Sequence, residues 1–401
     1  MMKEIDRQIE IIKKNTVEII EESELREKIK NSIEKNIPLK VKYGIDPTAP
    51  EIHLGHTVPI KKLKDFQQLG HKIYFLIGDF TARIGDPTGR KETRPVLSVE
   101  QINKNLLRYR EQVAKILDIE KVEFVYNSEW LSPLKLEEII KLTSAFTVAQ
   151  MLEREDFTVR YKSNKPIYLH EFLYPLLQGY DSYYLEADIE IGATEQKFNL
   201  LAGRTIQDFF GQRKQVVITM PILVGTDGKL KMSKSYGNHI PIETTPEDMF
   251  GKVMSIPDDI MADYFTLLTE IPSTIFEKKI KENPREAKSL LAREIVKEFS
   301  GKEMAEKAEI HFNKVFKEKK TPENIPEFKV PEKIIKEGKV NIVDLIFSSG
   351  AVASKSEIKR LINQGGVRID GEKIDNIDFK VEVKDGKILK IGKRKFFKLV
   401  R

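Results

Sequence analysis

The sequence predicts an α/β protein in which a Rossmann-like, doubly wound parallel sheet is followed by a helical block and a small α+β unit. Strand-like apolar runs alternate with helical periods up to about residue 225, and the strand-like runs stop after Gly237. The last stretch, about 60 residues, combines short helical and strand-like segments. This alternation favours a parallel sheet with helices on both faces. A length of 401 residues suits two or three domains.

Four segments have the pattern of strands: 39–46, 72–80, 122–127 and 215–225. The second and the fourth are nearly continuous apolar runs. Helical periods cover 57–70 and 98–118, and the latter begins with Ser98 as its cap and Gln101 three residues later. Pro59 fits the first turn of the former helix, where the missing N–H costs little. In such a sheet, ligands bind beyond the carboxyl ends of the strands.

The second half of the chain divides at a segment that contains proline. Helical patterns continue to about residue 320, and Pro322, Pro326 and Pro331 among charged residues indicate a linker. The sequence therefore predicts a sheet domain over 1–226, a loop and helical domain over 227–325, a linker over 326–338 and a final domain over 339–401.

The final domain carries the basic excess of the chain. Residues 339–401 contain 15 Lys or Arg against 8 Asp or Glu, a net charge of +7, which leaves 53 against 54, or −1, for the rest. A basic module on a nearly neutral body suggests a polyanionic partner. Cysteine is absent, which excludes disulfides and thiolate catalysis. With neither a signal-peptide pattern nor an apolar run of about 18 residues, we expect a cytoplasmic protein that does not bind membranes.

The stretch EIHLGH, residues 51–56, places two histidines between a strand and the start of a helix. Unsatisfied N–H groups and the helix dipole favour an anion there, and Gly55 lets a flat group approach the backbone. Two alternatives to an anion site for His53 and His56 stay open from these residues alone. One is a zinc site completed by a carboxylate, and the other is a pair of satisfied surface histidines.

The stretch GKLKMSKSYGN, residues 228–238, follows the fourth strand and is rich in lysine. A solvated turn is one interpretation of this composition. The serines between the lysines, however, add donors suited to phosphate oxygens. Because this loop and the histidines both follow strands, one cleft can contain both. Lys231 and Lys234 could then neutralise a triphosphate from one side and the histidines contact it from the other.

HLGH followed at this distance by KMSKS is the paired signature of the class I aminoacyl-tRNA synthetases, and the sequence resembles the bacterial tyrosyl-tRNA synthetases over nearly its whole length. The resemblance implies that L-tyrosine reacts with ATP, accompanied by Mg²⁺, to give tyrosyl-adenylate and pyrophosphate. Tyrosine is then transferred to the 3′ end of tRNA(Tyr). Such a reaction needs positioning and charge stabilisation more than covalent catalysis. The resemblance also implies a homodimer with an interface around 130–160. No carboxylate cluster in the sequence indicates a dedicated metal site on the protein.

The resemblance implies roles for individual residues. The catalytic set is His53, His56, Lys231 and Lys234. The set that contacts ATP adds Asp46, Gly55, Glu195 and Ser235, and Arg90 and Arg94 are expected at the pyrophosphate. The set around the tyrosine substrate is Lys42, Thr81, Asp86, Tyr174, Gln178, Asp181 and Gln196.

Three of the tyrosine-site residues lie in LHEFLYPLLQGYDSYY, residues 169–184. Tyr174, Gln178 and Asp181 are spaced so that a helix presents them on one face. A buried polar stripe must find hydrogen-bond partners, so a structural network is the alternative to a binding site. By resemblance, the first two face the α-amino group and Asp181 binds the phenolic hydroxyl. Pro175 predicts that the helix is kinked or begins there.

The sequence departs from the commonest family pattern at two places. GATEQ, residues 192–196, has Ala193 and Glu195 where the family usually has glycine and aspartate. The longer side chain of Glu195 leaves its expected contact with the ATP ribose open. Lys42 stands where the best-known branch has a tyrosine that contacts the substrate hydroxyl. This pattern fits a second bacterial branch of the family.

The final domain resembles the S-four-type RNA-binding module, on the stretch ASKSEIKRLINQGGVRIDGEKI. Lys355, Lys359 and Arg360 fall on one helical face and Arg368 follows closely, so these residues are expected to bind tRNA. A solvated helix without a partner is the alternative. The helical block before this domain is expected to contact the anticodon stem.

Two other classes of function stay open at this point. A small-molecule adenylyltransferase shares the His-x-Gly-His turn and the fold, but the KMSKS loop and the basic final domain argue against it. The second class is a non-catalytic RNA-binding protein with a synthetase fold, and the intact signature residues argue against this class. The tryptophanyl enzymes are the nearest synthetase relatives, but they normally lack the final domain and the polar helix stripe.

Overall fold

The computed structural model describes residues 1–47, 51–86, 108–317, 325–335, 338–352, 354–392 and 395–400. They belong to two compact units, Met1–Phe312 and Asn313–Arg401. The predicted pyrophosphate residues Arg90 and Arg94 lie outside the described residues, as does the predicted helix cap at Ser98. Within the described part of the chain, no helix has the length and apolar character needed to cross a membrane.

The first unit is built on a six-stranded sheet with the strand order β1-β6-β5-β2-β3-β4. The strands are β1 Glu18–Ile20, β2 Lys40–Ile45, β3 Lys72–Ile77, β4 Val122–Tyr126, β5 Ile189–Ala193 and β6 Val216–Met220. Strands β2 to β6 pair in parallel, and β1 pairs antiparallel with β6. The chain moves outward from β2 to β4 and then crosses to β5 on the other side of β2. This is the reversal of strand order that opens a ligand crevice in doubly wound sheets.

The α/β fold class is confirmed, and the four predicted strands are present in shortened form. Two strands were not predicted, and one of them makes the sheet mixed instead of wholly parallel. β1 has only three residues, too few for a period to be recognised. β5 was missed because Glu190 interrupts its apolar pattern, although this glutamate is almost completely buried.

Helices cover both faces of the sheet and form the block that follows it. They are α1 Met2–Lys13, α2 Glu22–Lys35, α3 Leu54–Gln68, α4 Ser128–Leu131, α5 Leu136–Thr143, α6 Val148–Leu152, α7 Glu155–Lys162, α8 Leu169–Leu185, α9 Lys197–Phe209, α10 Pro246–Val253, α11 Met261–Leu268, α12 Ser273–Glu282, α13 Pro284–Ser300 and α14 Lys302–Lys317. Residues 108–113 are also helical.

The prediction that Pro59 lies in the first turn of its helix was wrong, and of the two alternatives for Pro175 the structure excludes a helix that begins there. α3 begins at Leu54, so Pro59 lies in its second turn instead of its first. α8 begins at Leu169 and continues past Pro175 to Leu185. In each case the residues before the proline already have helical backbone, since a proline removes one N–H donor but still permits the helical φ angle.

The core of the first unit lies between the sheet and the apolar stripes of the helices. On α3, Leu54, Val58, Leu63 and Phe66 are all buried. The helix contacts β2, β3 and β5 of the sheet and also the helices α1 and α11, so more than one of its faces is buried. Burial of each such side chain contributes about 1.5–3 kcal/mol. The packing fixes the start of α3, where the histidines lie, relative to the end of β2.

Helices α8 and α9 pack closely at Gly179, so a larger residue there should destabilise the protein. A Cβ at Gly179 would lie 2.8 Å from Cγ1 of Ile206 and 3.0 Å from the carbonyl oxygen of Ala202. Gly179→Ala should therefore lower the free energy of unfolding by about 1–3 kcal/mol through overpacking. Urea denaturation measures the change.

Gly251→Ala is the matched control, because a Cβ at Gly251 in α10 would meet no atom within 4 Å. It should be neutral or stabilise by up to about 1 kcal/mol through helix propensity. Equal effects of the two variants would contradict the close packing at Gly179.

The second unit has a five-stranded sheet in the order β10-β9-β12-β13-β7 and a two-stranded sheet of β11 and β8. The strands are β7 Glu327–Lys329, β8 Lys339–Asn341, β9 Val367–Ile369, β10 Glu372–Ile374, β11 Lys380–Glu382, β12 Ile388–Ile391 and β13 Lys395–Val400, and the helices are α15 Ile342–Ser348 and α16 Lys355–Asn363. β7 pairs in parallel with β13. The segment predicted as a linker over 326–338 therefore contributes a strand to this sheet.

Candidate active site

A cleft of about 950 Å³ opens beyond the carboxyl ends of β2 and β5, where the strand order reverses. It gathers almost all of the site residues that the sequence predicted. The lining includes Lys42, Asp46, His53, Gly55, His56, Thr81, Asp86, Tyr174, Gln178, Asp181, Glu195, Gln196, Lys231 and Ser235. Of the predicted cleft residues that the structure describes, Lys234 is the one outside this lining.

The two histidines lie at the N-terminus of α3, as predicted. His53 is the residue before the helix, and its ring stacks on that of His56 with a centroid distance of 3.7 Å. The backbone N–H of His53 donates to Nδ1 of His56 at 3.3 Å. The ring hydrogen of neutral His56 therefore lies on Nε2, which is the nitrogen available as a donor to a ligand.

Burial keeps both histidines uncharged near neutral pH. It lowers the pKa of His56 to about 4, and the charge of His239 acts in the same direction. It also lowers the pKa of His53, together with the charges of His56 and His239. Among the described residues, no three His, Cys, Asp or Glu side chains are grouped so that they could hold a metal ion. The arrangement suits hydrogen-bond donation to an anion better than metal binding.

Backbone pairing brings the histidines close to the end of the lysine-rich loop. The N–H of Leu54 donates to the carbonyl of Ile240 at 3.0 Å, and the N–H of Ile242 donates to the carbonyl of Ile52 at 3.0 Å. The two motifs are about 175 residues apart in the sequence. These hydrogen bonds hold the segment after the loop against the start of α3.

The lysine-rich loop is itself held by Asn238. The side-chain amide of Asn238 donates to Asp227 at 3.0 Å and to the carbonyl of Lys231 at 3.1 Å, and its oxygen accepts the N–H of Ser233 at 2.8 Å. Asp227 in turn accepts the backbone N–H of Lys229, which lowers the pKa of this carboxyl. The base of the loop is therefore ordered by its own side chains.

The two signature lysines each lie beside a carboxylate. Nζ of Lys231 is 2.7 Å from Glu195, and Nζ of Lys234 is 3.2 Å from Glu51. Lys234 begins a short 3-10 turn and is half exposed. Glu195 is longer than the aspartate of the common pattern, and its carboxylate reaches Lys231 of the loop. Exposed ion pairs of this kind are weak, so an anionic ligand can replace the carboxylates.

A hydrogen-bonded group lies at the end of β2. The hydroxyl of Tyr174 donates to Asp46 at 2.9 Å, and the hydroxyl of Thr81 donates to the other oxygen of Asp46 at 2.9 Å. Asp46 directly follows β2, Thr81 begins a 3-10 turn after β3, and Tyr174 lies on α8. Asp46, which was predicted to bind ATP, is thus hydrogen-bonded to two residues that were predicted to bind tyrosine.

A second group surrounds Asp86. Its carboxylate accepts from Arg154 at 3.0 Å and from the amide of Gln196 at 2.7 Å. Arg154 also donates to Asn199, whose amide donates to Gln196. The sequence did not predict a role for Arg154 or Asn199, because nothing in the local pattern separates a buried arginine from an exposed one.

Asp181 lies at the floor of the cleft and is 1% exposed. It accepts hydrogen bonds from the indole N–H of Trp130 at 2.8 Å and from the amide of Asn127 at 3.2 Å. Burial raises the pKa of Asp181 to about 7, while the charge of Lys42 and these two hydrogen bonds lower it. A carboxylate in this position can accept a hydrogen bond from a ligand hydroxyl.

Lys42 and Glu190 form a buried ion pair at the same end of the cleft, with 2.9 Å between Nζ and Oε1. Glu190 lines the cleft but was not predicted as a site residue. Its strand was itself missed, and a charged residue in a short strand gives no sequence signal for burial.

In the second unit, the predicted basic residues are exposed on and near α16. Ile358 and Ile362 face the core, while Lys355, Lys359 and Arg360 lie on the solvent side. Lys355 forms an ion pair with Asp344 at 2.7 Å. Arg368 on β9 is also exposed. The helix α16 is therefore amphipathic, with its basic residues on the exposed side.

The comparison with protein families agrees with this site. The family model described as "tRNA synthetases class I (W and Y)" matches residues 34–317, and the model of the S4 domain matches residues 340–386. The chain belongs to the class I tRNA synthetases of this group and carries an S4 domain.

Curated relatives narrow the group to one specificity. The tyrosine--tRNA ligase of Carboxydothermus hydrogenoformans is 54% identical over 404 residues, covering 99% of this chain and 98% of the relative. The tyrosine--tRNA ligase of Thermotoga maritima is 50% identical and covers 98% of this chain and 97% of the relative. The structure of Archaeoglobus fulgidus tyrosyl-tRNA synthetase complexed with L-tyrosine has a TM-score of 0.61 and 24% identity, over 76% of this chain and 99% of that chain. That structural likeness supports the fold.

Proposed function

We infer that the chain is a tyrosine--tRNA ligase, which forms tyrosyl-adenylate from L-tyrosine and ATP and transfers tyrosine to tRNA(Tyr). The observation that carries this conclusion is that the histidine pair, the signature loop and the polar face of α8 line one cleft. Relatives at about half identity over nearly the full chain have this activity in their names.

We propose that the cleft divides the two substrates between its ends. Tyrosine lies on the side of Asp181, with Asp86, Tyr174 and Gln178 near its ammonium group. ATP lies over Gly55, and its phosphates lie between the histidines and the loop lysines. The carboxylate of tyrosine then attacks the α-phosphorus and pyrophosphate leaves. The histidines at the start of α3 and the loop lysines meet the growing charge of the transition state, and this accounts for the rate enhancement.

Amino-acid-dependent exchange of pyrophosphate into ATP, without tRNA, tests this proposal. Tyrosine should support exchange, and phenylalanine and tryptophan should not. If no amino acid supports exchange while the folded protein binds RNA, the chain is a non-catalytic RNA-binding protein. Exchange with tryptophan alone would place it with the tryptophanyl enzymes.

We propose that Mg²⁺ enters this site as its complex with ATP. The described residues offer no acidic cluster that fits a protein-held ion. Mg²⁺ is commonly held by substrate phosphates and water, with few protein ligands. When bound, it neutralises phosphate charge, and the loop lysines supply further positive charge from the protein.

We propose that the basic face of α16 binds tRNA(Tyr). Replacing Lys359 and Arg360 together with alanine should weaken tRNA binding and reduce the salt dependence of the binding constant, by about one unit of log–log slope for each phosphate that no longer has a basic partner. Filter binding over a range of salt concentrations measures both effects. Pyrophosphate exchange without tRNA is the control and should be unchanged. An unaltered salt slope would assign tRNA binding to another surface.

We propose that the protein is a homodimer. Leu136, Ile140 and Val148, on α5 and α6, are between 59% and 73% exposed. These apolar side chains fall within the interface predicted around 130–160, and covering them would remove apolar surface from water. Sedimentation equilibrium should give twice the chain mass of 46.3 kDa.

A further inference from the structure

The ion pair of Lys42 and Glu190 joins two neighbouring strands directly beside the cleft. The two residues are paired in register across β2 and β5, and each is 1% exposed. Charged side chains are rarely buried to this degree unless they are paired and hydrogen-bonded. Because both also line the cleft, the pair can influence a ligand there.

The carboxylate of Glu190 is fully used by the protein. Oε1 accepts from the amide of Gln178 at 3.1 Å and lies 2.9 Å from Nζ of Lys42. Oε2 accepts from the hydroxyl of Ser182 at 3.0 Å and from the amide of Gln215 at 2.5 Å. Four donors match the acceptor capacity of a carboxylate.

Gly203 provides the space for this arrangement. A Cβ at this position would lie 2.3 Å from Nε2 of Gln215 and 3.0 Å from the hydroxyl oxygen of Ser182. The backbone of α9 therefore approaches the network as closely as a glycine allows. The network is a built feature that depends on β5, β2, α8 and α9 together.

The ammonium of Lys42 is also surrounded by protein oxygens. The carbonyl of Gln178 lies at 3.0 Å, the hydroxyl of Ser182 at 2.7 Å and Oε1 of Glu190 at 2.9 Å. An ammonium has three hydrogens, so three oxygens suffice to engage it. Lys42 therefore acts on a ligand mainly through its charge, which lowers the pKa of neighbouring Asp181 against the effect of burial.

We propose that Glu190 is a positioning residue for tyrosine selection, which keeps the Lys42 ammonium beside Asp181 and orients the Gln178 amide. This inference rests on the proposed function, since it assigns Asp181 to the substrate hydroxyl. Glu190 acts through these neighbours and takes no part in the chemical step. Glu190 thereby supplies the counter-charge for Lys42. A tyrosine at position 42, as in the best-known branch of the family, would not require one.

The Glu190→Gln variant removes the charge and keeps the shape. It leaves Lys42 buried without a counter-ion and replaces one acceptor oxygen by a donor that faces other donors. Lys42→Met does the reverse, leaving the charge of Glu190 uncompensated, which disfavours ionised Asp181. The double variant carries neither charge.

Pyrophosphate exchange with tyrosine, phenylalanine and ATP varied separately tests the proposal. Loss of the Glu190 charge by itself favours ionised Asp181. Glu190→Gln also releases the Lys42 ammonium and the Gln178 amide from their shared acceptor. Through this loss of positioning it should raise the KM for tyrosine about 10-fold or more and lower the preference for tyrosine over phenylalanine, with the KM for ATP unchanged. The double variant should lose less than the product of the two single effects, since it buries no unpaired charge.

Asp188→Asn is the matched control. Asp188 is two residues from Glu190 and is the partner, at 2.8 Å, of Lys28, a lysine that is 3% exposed. Asp188 is not among the cleft-lining residues. This variant should lower the melting temperature without changing the KM for tyrosine.

Two results would overturn the proposal: a folded Glu190→Gln variant with unchanged KM and selectivity, or equal increases in the KM for tyrosine and for ATP. If Glu190→Gln does not fold, the comparison of Lys42→Met with the double variant tests the proposal. The double variant must then bind tyrosine more tightly than Lys42→Met does. If the wild-type protein shows no exchange, the proposed function fails instead. Tyrosine binding, followed through the fluorescence of Trp130, then tests the role of Glu190 separately.

Discussion

Replacing Lys234 with alanine should slow the formation of tyrosyl-adenylate by about 100- to 1,000-fold and leave the affinity for tyrosine unchanged. Lys234 lies in the loop and away from the part of the cleft proposed for tyrosine. It begins the 3-10 turn Lys234–Tyr236 and is held by one half-exposed ion pair with Glu51. It does not line the cleft that would hold tyrosine.

The loop geometry explains why the effect should fall on the rate. The base of the loop is fixed by Asn238, while the tip of the loop carries the lysine. Since the ion pair with Glu51 is weak, Lys234 can move to the phosphates as negative charge develops on the leaving pyrophosphate. An interaction that strengthens in the transition state raises the rate without tightening substrate binding.

Single-turnover kinetics with radiolabelled ATP and saturating tyrosine measure the rate, and equilibrium dialysis measures tyrosine affinity. Lys229→Ala is the matched control, because Lys229 is an exposed lysine of the same loop that does not line the cleft. It should leave both quantities unchanged. A Lys234→Ala variant with a normal single-turnover rate, or a loss of tyrosine affinity equal to the loss of rate, would contradict this role.

The parts of the site that the sequence predicted are those fixed by local chemistry. His53 and His56 follow a strand and begin a helix, so a strand period and a helix period were enough to place them. The lysine loop follows β6 in the same way. Because parallel strands end at one edge of a sheet, two such motifs could be assigned to one cleft from the sequence alone.

The parts that the sequence did not predict depend on partners far apart in the chain. Glu190 and Arg154 are charged residues in segments without a clear period, and a charged residue is expected at the surface. They are buried because Lys42 and Asp86 lie opposite them. Such pairs arise from the order of the strands and the packing of α8 on α9, which no short stretch of sequence contains.

The affinity for tyrosine should also depend on pH, decreasing as the pH falls through about 7, while the affinity for phenylalanine should not. Burial raises the pKa of Asp181 to about 7, against the charge of Lys42 and the hydrogen bonds from Trp130 and Asn127. Below that pH the carboxyl is protonated, and a neutral carboxyl accepts a hydroxyl hydrogen bond less strongly than a carboxylate. If tyrosine binds the ionised form, one pH unit below the pKa should raise the apparent dissociation constant about 10-fold.

Asp181→Asn separates charge from shape. The amide fills the same space but carries no charge at any pH, so the pH dependence of tyrosine affinity should disappear. The preference for tyrosine over phenylalanine should fall by about 10- to 100-fold, the value of a hydrogen bond to a charged group. The rejection of phenylalanine by tyrosyl-tRNA synthetases is itself an established example of selection through a hydroxyl group, so the size of the wild-type preference is not a result of this structure.

The chain contains one tryptophan, and its indole N–H donates to Asp181 at 2.8 Å. Its emission should therefore titrate with the ionisation of this carboxyl. The emission of the wild-type protein should change with a midpoint near pH 7, and saturation with tyrosine should shift the midpoint to lower pH, because the ligand stabilises the carboxylate. Phenylalanine should leave it in place. A midpoint that tyrosine does not move would show that Asp181 and the substrate hydroxyl are not in contact, and Asp181→Asn, with no titration, identifies the group responsible.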